Sequence, residues 1–194
     1  MKRGAPPVEA AKALRDGRVA LVPTETVVGL VAAEPGLRRI EEIKARDPGK
    51  PIALLCASAD EAFALAANVP PLARRLADLY WPGPLTLVLE RPGGGTVGLR
   101  VPAGLVVRAM LTAYGEPLFA TSANISGEPA PKGIEEVDPR VSEAVDVIVG
   151  GESGSGEASA VVDLSSGRVR LLRPTEDLSE ERLAELAAGG EGRL

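Results

Sequence analysis

Short apolar runs along the chain alternate with stretches of helical periodicity. Runs rich in Val, Leu and Ile predict buried strands at 19–22, 52–56, 85–89, 97–101, 118–120 and 145–149. Apolar residues at helical spacing predict helices at 8–16, 37–43, 61–67, 71–80 and 103–114. Near the end, runs at 161–164 and 169–172 flank Ser165-Ser166-Gly167 and predict a β-hairpin, and Ser179 is positioned to cap a last helix to about residue 188.

This interleaving predicts an α/β protein with a twisted, open, mixed sheet and flanking helices. The chain has no internal repeat and no linker long enough to separate two domains, so we expect a single domain over residues 1–194. A chain of this length can bury one substantial core.

Composition excludes several kinds of chemistry. There is no histidine, which removes Ser-His-Asp and Cys-His catalysis and the usual zinc sites. The one cysteine, Cys56, lies in an apolar run and is expected to be an inert core residue, so no metal ligands are predicted. The net charge of −5 gives no support to general nucleic-acid binding. With no long apolar run and no signal-peptide core, the sequence predicts a cytoplasmic protein.

Small polar residues follow the apolar run at 118–120. The sequence TSANISG at 121–127 suits a pocket wall, because small side chains let backbone amides approach a ligand and Ser and Asn supply short hydrogen-bonding groups. It equally suits an ordinary polar loop between a strand and a helix, and alone the second interpretation is favoured.

Four cations stand at positions where two interpretations compete. Lys44 and Arg46 end a predicted helix, where the helix dipole favours cations, but the stiff DPGKP loop that follows also suits polyphosphate binding. Arg100 and Arg173 lie in apolar strands, where they either face solvent or line a crevice that captures carboxylate or phosphate.

Two further motifs are interpreted as structural. The sequence GGGTVG at 93–98 matches a dinucleotide fingerprint literally, but a second strand follows it instead of a helix, so we interpret it as a hairpin loop. The tetrapeptide WPGP at 81–84 closes a helix and fixes a turn.

Seven segments together resemble the YrdC-like family of threonylcarbamoyl-AMP synthases, in that family's order and over most of the chain. They are PTETVVGL (23–30), KARDPGKP (44–51), WPGPLTLVL (81–89), TVGLRVP (96–102), TSANISGEPAP (121–131), SAVVDLS (159–165) and LLRP (171–174). The chain is similar to the short, single-domain form of the family. The resemblance implies a twisted open α/β sheet with a large, concave, positively charged cavity.

The resemblance also implies a reaction, in which L-threonine, bicarbonate and ATP give threonylcarbamoyl-AMP and pyrophosphate. Mg²⁺ would be carried in with ATP, and no tightly bound cofactor is implied. The product serves threonylcarbamoyladenosine formation in tRNA. Separate proteins carry out the transfer, a direct contact with tRNA is left open, and no membrane is involved.

The family's Lys-x-Arg and Ser-x-Asn signature matches Lys44, Arg46, Ser122 and Asn124, which the resemblance implies are catalytic. Lys44, Ser122 and Asn124 would also contact ATP. We expect Lys44 and Arg46 to neutralise the phosphates while Ser122 and Asn124 orient carbamate and phosphate oxygens.

Five further matches concern the substrates. Thr24, Arg100 and Ser159 match residues of the threonine pocket, with Arg100 holding the carboxylate. Thr96 and Arg173 match positions that contact ATP.

Two positions depart from the family pattern: Val28 stands where an aromatic residue is usual, and Leu55 lies near a frequent histidine. These departures bear on selectivity for threonine. They keep open a related carbamoyl-adenylate enzyme that acts on a different amine or carbamoyl donor. The second alternative is a non-catalytic RNA-binding relative, which would not need all four signature residues.

Overall fold

The computed structural model describes residues 2–45, 52–152 and 154–189, and the strands in these ranges form one ten-stranded sheet. The sheet order is β1-β8-β2-β3-β7-β4-β6-β5-β9-β10. The strands are β1 Lys2–Ala5, β2 Val19–Val22, β3 Gly29–Ala32, β4 Ala53–Leu55, β5 Leu85–Glu90, β6 Thr96–Arg100, β7 Leu118–Ser122, β8 Val147–Val149, β9 Ala160–Asp163 and β10 Arg170–Arg173. Parallel and antiparallel pairs both occur, so the sheet is mixed and open, as predicted.

Helices flank this sheet on both faces. They are α1 Pro7–Arg15, α2 Leu37–Ile43, α3 Ala59–Ala64, α4 Pro71–Tyr80, α5 Leu105–Tyr114, α6 Pro139–Ser142 and α7 Glu180–Ala188. Short 3₁₀ turns form at Glu34–Gly36 and Ile134–Glu136. In the described ranges no helix is both long enough and apolar enough to cross a membrane.

Most predicted elements are confirmed to within a few residues, and β2, α2 and α4 have the predicted bounds. The predicted cap at Ser179 forms, because its hydroxyl accepts a hydrogen bond from the amide of Arg182. The hydroxyl of Ser58 caps α3 in the same way, by accepting from the amide of Glu61. The hairpin of β9 and β10 is antiparallel, as expected.

The sequence interpretation missed β1, β3 and the short helix α6. The segment KRGA carries no apolar alternation and is a strand because it pairs in parallel with β8. Helix α6 has local signals, since Asp138 caps it and Pro139 follows at its first position.

One face of the sheet is covered along its whole length. Residues paired across neighbouring strands on this face, such as Leu87, Leu99 and Val162, pack in one core with helices α3, α4 and α7. Helices α2 and α6 cover the same face further along, over β2, β3 and β8.

The opposite face is covered over only half its length. Helices α1 and α5 pack on this face of β2, β3 and β8 through residues such as Leu14, Met110 and Val31. Val31 pairs with Ala120 and Ala120 with Ala53, so the same face continues across β7 and β4. This second half forms the concave surface on which the site lies.

Candidate active site

A cavity of about 420 Å³ lies on the uncovered half of the sheet. Its lining comes from strands and loops and includes no residue of the described helices. The polar lining residues are Thr24, Thr26, Thr86, Thr96, Arg100, Thr121, Ser122, Ser159, Asp163 and Arg173. Six of them are residues predicted from the sequence to bind substrates: Thr24, Thr96, Arg100, Ser122, Ser159 and Arg173.

Small residues form part of the cavity wall. Gly29, Ala53, Gly98 and Ala120 all line it. A Cβ at Gly98 would lie 3.5 Å from Ala53, which is ordinary van der Waals contact, so this glycine leaves space above the sheet. The depth of the concave surface therefore comes from the small side chains in its wall as well as from the lack of a described helix over this half of the sheet.

Arg100, the last residue of β6, is only 8% exposed and is held from two directions. Its Nε donates to the carbonyl oxygen of Gly83 at 3.2 Å, and its Nη2 donates to Glu25 Oε1 at 2.7 Å and Thr26 Oγ1 at 3.0 Å. Among the described residues Nη1 has no hydrogen-bond partner. Arg100 thus keeps two donors for a ligand while the rest of its guanidinium group is fixed.

Glu25 fixes this arginine and the beginning of α5 together. Its carboxylate accepts the amides of Ala103 and Gly104, both at 2.9 Å, in addition to Arg100. Burial alone would raise the pKa of Glu25, but the charge of Arg100 and the amide of Ala103 outweigh it, so the pKa lies below its ordinary value. Glu25 is therefore a carboxylate at neutral pH. Sequence reasoning did not single it out.

The WPGP segment positions the same arginine. The amide of Gly83 donates to the carbonyl of Val101, and the carbonyl of Gly83 accepts from Arg100. A Cβ at Gly83 would lie 2.4 Å from the carbonyl oxygen of Tyr80, so only glycine fits there. The structural interpretation of this motif is consistent with these contacts.

Arg173 lies at the other side of the cavity, on edge strand β10. Its Nε donates to the carbonyl of Ser159 at 2.6 Å, and its Nη2 to the hydroxyl of Ser159 at 3.2 Å. Burial of its head group and the nearby positive charge of Arg100 lower the pKa of Arg173. Two like charges that line one cavity favour an anionic ligand, because an anion relieves their repulsion.

Buried hydroxyl groups also line the cavity near Arg100 and Arg173. The hydroxyls of Ser159 and Thr86 are 3.0 Å apart. Thr24 Oγ1 donates to the carbonyl of Val27 at 2.6 Å and lies 2.9 Å from Thr26 Oγ1. Sequence reasoning did not single out Thr26 or Thr86, although Thr26 precedes the apolar run VVGL and Thr86 lies within the predicted strand 85–89.

Lys44, Ser122 and Asn124 are brought into direct contact. The ammonium of Lys44, 3% exposed, donates to the carbonyls of Ser122 at 2.5 Å and Asn124 at 2.6 Å, and to Asn124 Oδ1 at 3.1 Å. The Ser122 hydroxyl also donates to Asn124 Oδ1 at 2.5 Å. Ser122 lines the cavity, whereas Lys44 and Asn124 are not among the lining residues. Both contact Ser122 from behind the cavity wall. Arg46 lies outside the described residues.

Backbone hydrogen bonds join the glycine-rich segment at 154–156 to the polar loop at 24–26. The amides of Gly154, Ser155 and Gly156 donate to the carbonyls of Thr24, Glu25 and Thr26 at 2.8–3.0 Å. Ala158 and Ser159, which follow, line the cavity. The segment thus supports one wall of the cavity.

The two departures from the family pattern lie in different surroundings. Val28 is fully buried in the core below α2 and is not part of the cavity lining, while Leu55 lines the cavity. Only Leu55 is therefore placed to touch a ligand. Cys56 beside it is buried, and burial raises the pKa of its thiol to about 12, consistent with an inert residue.

Comparison with known proteins decides the family. The profile described as "Telomere recombination", of the Sua5, YciO and YrdC proteins, matches residues 12–175. The chain belongs to this family. That the fold and motifs resemble YrdC-like proteins is thereby confirmed.

Individual relatives of this family member carry informative names. A threonylcarbamoyl-AMP synthase of Pyrococcus abyssi is 37% identical over 85% of the chain and 52% of its own length. One from Chromohalobacter salexigens is 34% identical over 82% of the chain and 92% of its own length. The crystal structure of P. abyssi Sua5 complexed with L-threonine superposes with a TM-score of 0.84 at 34% identity, over 93% of this chain and 56% of that one. The chain thus spans about half the length of the P. abyssi proteins.

Proposed function

We propose that the protein is an L-threonylcarbamoyladenylate synthase of the cytoplasm, which converts L-threonine, bicarbonate and ATP into threonylcarbamoyl-AMP, pyrophosphate and water. The observation that carries the proposal is Arg100, held by Glu25, Thr26 and Gly83 with Nη1 left for a ligand. The names of the relatives and the threonine complex of the P. abyssi protein support the same assignment. The product would serve tRNA modification through separate transfer proteins.

In this proposal Arg100 binds the threonine carboxylate. A guanidinium group with two donors on one nitrogen suits a carboxylate oxygen, and its fixed orientation reduces the entropy lost on binding. The hydroxyls of Thr24 and Ser159 line the same cavity and would orient the amino acid. Leu55 supplies an apolar contact where many family members have histidine.

Arg173 and Ser122 would contact the nucleotide. Arg173 supplies positive charge in the cavity, and Ser122 stands at the end of β7 where Lys44 fixes the backbone. Lys44 has its ammonium engaged by three oxygens, so its proposed part is to hold Ser122 and Asn124 in place and add positive charge nearby. The proposed roles of Arg46 and Thr96 follow from the motif match.

The chemistry needs positioning and charge neutralisation more than a covalent nucleophile. The threonine amine adds to bicarbonate or its CO₂ equivalent, giving a carbamate and releasing water. A carbamate oxygen then attacks the α-phosphorus, and the bond to the β,γ-pyrophosphate breaks. Arg173 and Lys44, which lies beside Ser122, stabilise the charge that develops on the phosphate oxygens.

Mg²⁺ would arrive as part of the nucleotide substrate, bound to its phosphates. Within the described ranges no group of three Asp, Glu, Cys or His side chains lies close enough together to hold a metal ion. The residues that would face Mg·ATP are therefore the hydroxyls and cations described above.

The non-catalytic RNA-binding alternative is not favoured. The named relatives are synthases, and the polar groups converge on a cavity of about 420 Å³, which suits small molecules.

The deciding experiment measures pyrophosphate release from ATP while threonine and bicarbonate are varied separately. We expect release to require all three substrates. In Arg100→Lys, which keeps a cation beside Glu25 but loses the planar group, the KM for threonine should rise about tenfold or more with little change in the KM for ATP. The exposed Arg38→Lys serves as the matched control. Pyrophosphate release that does not depend on threonine would contradict the proposal.

A further inference from the structure

Asp163 is the one carboxylate among the described residues that line the cavity. It ends β9, is 9% exposed, and pairs in register with Val88 on β5 and Arg170 on β10. Val88, Val161 and Leu172 line the cavity beside it. The motif segment SAVVDLS contains Asp163, but none of the roles described above uses it.

The two oxygens of this carboxylate have different surroundings. Oδ1 accepts the amide of Ser165 at 3.0 Å and its hydroxyl at 2.7 Å. Oδ2 forms an ion pair with Arg170 Nη1 at 3.7 Å, but it accepts no hydrogen bond from a described residue. A buried carboxylate oxygen that lines a cavity is costly unless a ligand or water donates to it.

We propose that Asp163 Oδ2 accepts a hydrogen bond from the nucleoside part of ATP, either from a ribose hydroxyl or from the 6-amino group of adenine. The inference rests on the proposed function only in taking ATP as a ligand of this cavity. The proposed phosphate contact at Ser122, with Lys44 behind it, lies on β7, whereas Asp163 lies on β9 and its carboxylate repels phosphate, so the nucleoside occupies the Asp163 end.

Substitution Asp163→Asn tests the proposal because its geometry is constrained. The amide of Ser165 can donate only to an oxygen, so the Asn carbonyl takes the place of Oδ1 and its NH₂ group takes the place of Oδ2. The variant therefore presents a donor where the native residue presents an acceptor. Ser165→Ala is the matched control, since it removes the hydroxyl contact of the turn but leaves Oδ2 unchanged.

The readout is nucleotide binding by calorimetry, without turnover, for ATP, 2′-deoxyATP, 3′-deoxyATP and purine riboside triphosphate, which lacks the 6-amino group. We expect the native protein to bind one of these analogues about 10- to 100-fold more weakly than ATP. We expect Asp163→Asn to weaken ATP binding by a similar factor and to lose that discrimination, with Ser165→Ala retaining it. Loss for a deoxy analogue identifies a ribose hydroxyl, and loss for the purine analogue identifies the amino group.

Equal binding of all four nucleotides by the native protein would overturn the inference, even where Asp163→Asn does not fold. So would an equal loss of affinity for all four in the variant. Because binding is measured separately from pyrophosphate release, a native protein that releases no pyrophosphate would reject the proposed function without deciding this point.

Discussion

At the scale of single residues, the ammonium group of Lys44 is held by three oxygens of the segment that follows β7. Its main chain takes part as well, since its carbonyl accepts the amide of Ser126 at 3.1 Å. One residue at the end of α2 thus fixes the backbone from Ser122 to Ser126. Lys44 therefore has a structural role in this segment in addition to the catalytic role proposed for it.

Lys44→Ala should lower both stability and activity. It leaves the half-buried carbonyls of Ser122 and Asn124 without this donor, so we expect the free energy of unfolding to fall by about 1–3 kcal/mol, and turnover to be lost. Urea unfolding monitored by circular dichroism measures the first effect. Lys12→Ala, on the exposed side of α1, is the control. An unchanged urea midpoint in Lys44→Ala would show that these hydrogen bonds do not hold the segment.

The sequence could indicate the identity of Lys44, Ser122 and Asn124 as a group, because their motifs are distinctive. It could not indicate that the acceptors of Lys44 are mainly backbone carbonyls, since these are brought together by the pairing of β3 with β7. Asp163 was overlooked for a related reason. A single acid after two valines is typical of a strand end, and only the sheet register shows that it faces the cavity.

At the scale of elements, the composition of the glycine- and serine-rich segment GGESGSGEAS (150–159) predicts a candidate mobile lid. In the structure residues 154–156 pair with residues 24–26 as a short ladder, and Ser159 follows directly into the cavity. Composition indicated the absence of helix and strand propensity. It did not indicate this pairing, which needs a close approach of two backbones that only glycine permits.

Gly154→Ala should separate these two segments. A Cβ at Gly154 would lie 1.8 Å from the carbonyl oxygen of Glu25, so the ladder cannot form without a shift of the backbone. We expect a loss of about 1–3 kcal/mol in stability and faster proteolytic cleavage within residues 150–159. Gly189→Ala, where a Cβ meets only Glu185 at 3.4 Å, is the control. Identical cleavage rates in the two variants would contradict the proposed close packing.

At the scale of the whole molecule, one face of the sheet is fully covered by helices and the other is covered over half its length. Hydrophobic periodicity predicted the α/β class and most of the elements, because each depends on residues near one another in sequence. The strand order could not be predicted, since β8 inserts between β1 and β2, and β4 between β7 and β6, through contacts distant in sequence. The place of the cavity follows from this order and was therefore available only as an implication of family resemblance.

Glu25 connects the two halves of that incompletely covered face, since it binds the first amides beyond β6 that lead into α5 and also Arg100 of the cavity. Its pKa is lowered in the folded state, so the stability it contributes is fully present above the ordinary carboxyl pKa and is lost as pH falls through the lower folded value.

Glu25→Gln should lower the free energy of unfolding by about 1–3 kcal/mol at pH 7, because Arg100 loses its counter-ion. The difference from the native protein should shrink on acidification through that window, as measured by urea unfolding at a series of pH values. The exposed Glu143→Gln should match the native protein throughout. If the difference in the free energy of unfolding between Glu25→Gln and the native protein stays constant with pH, the charge of the Glu25 carboxylate does not stabilise the contacts between α5 and Arg100.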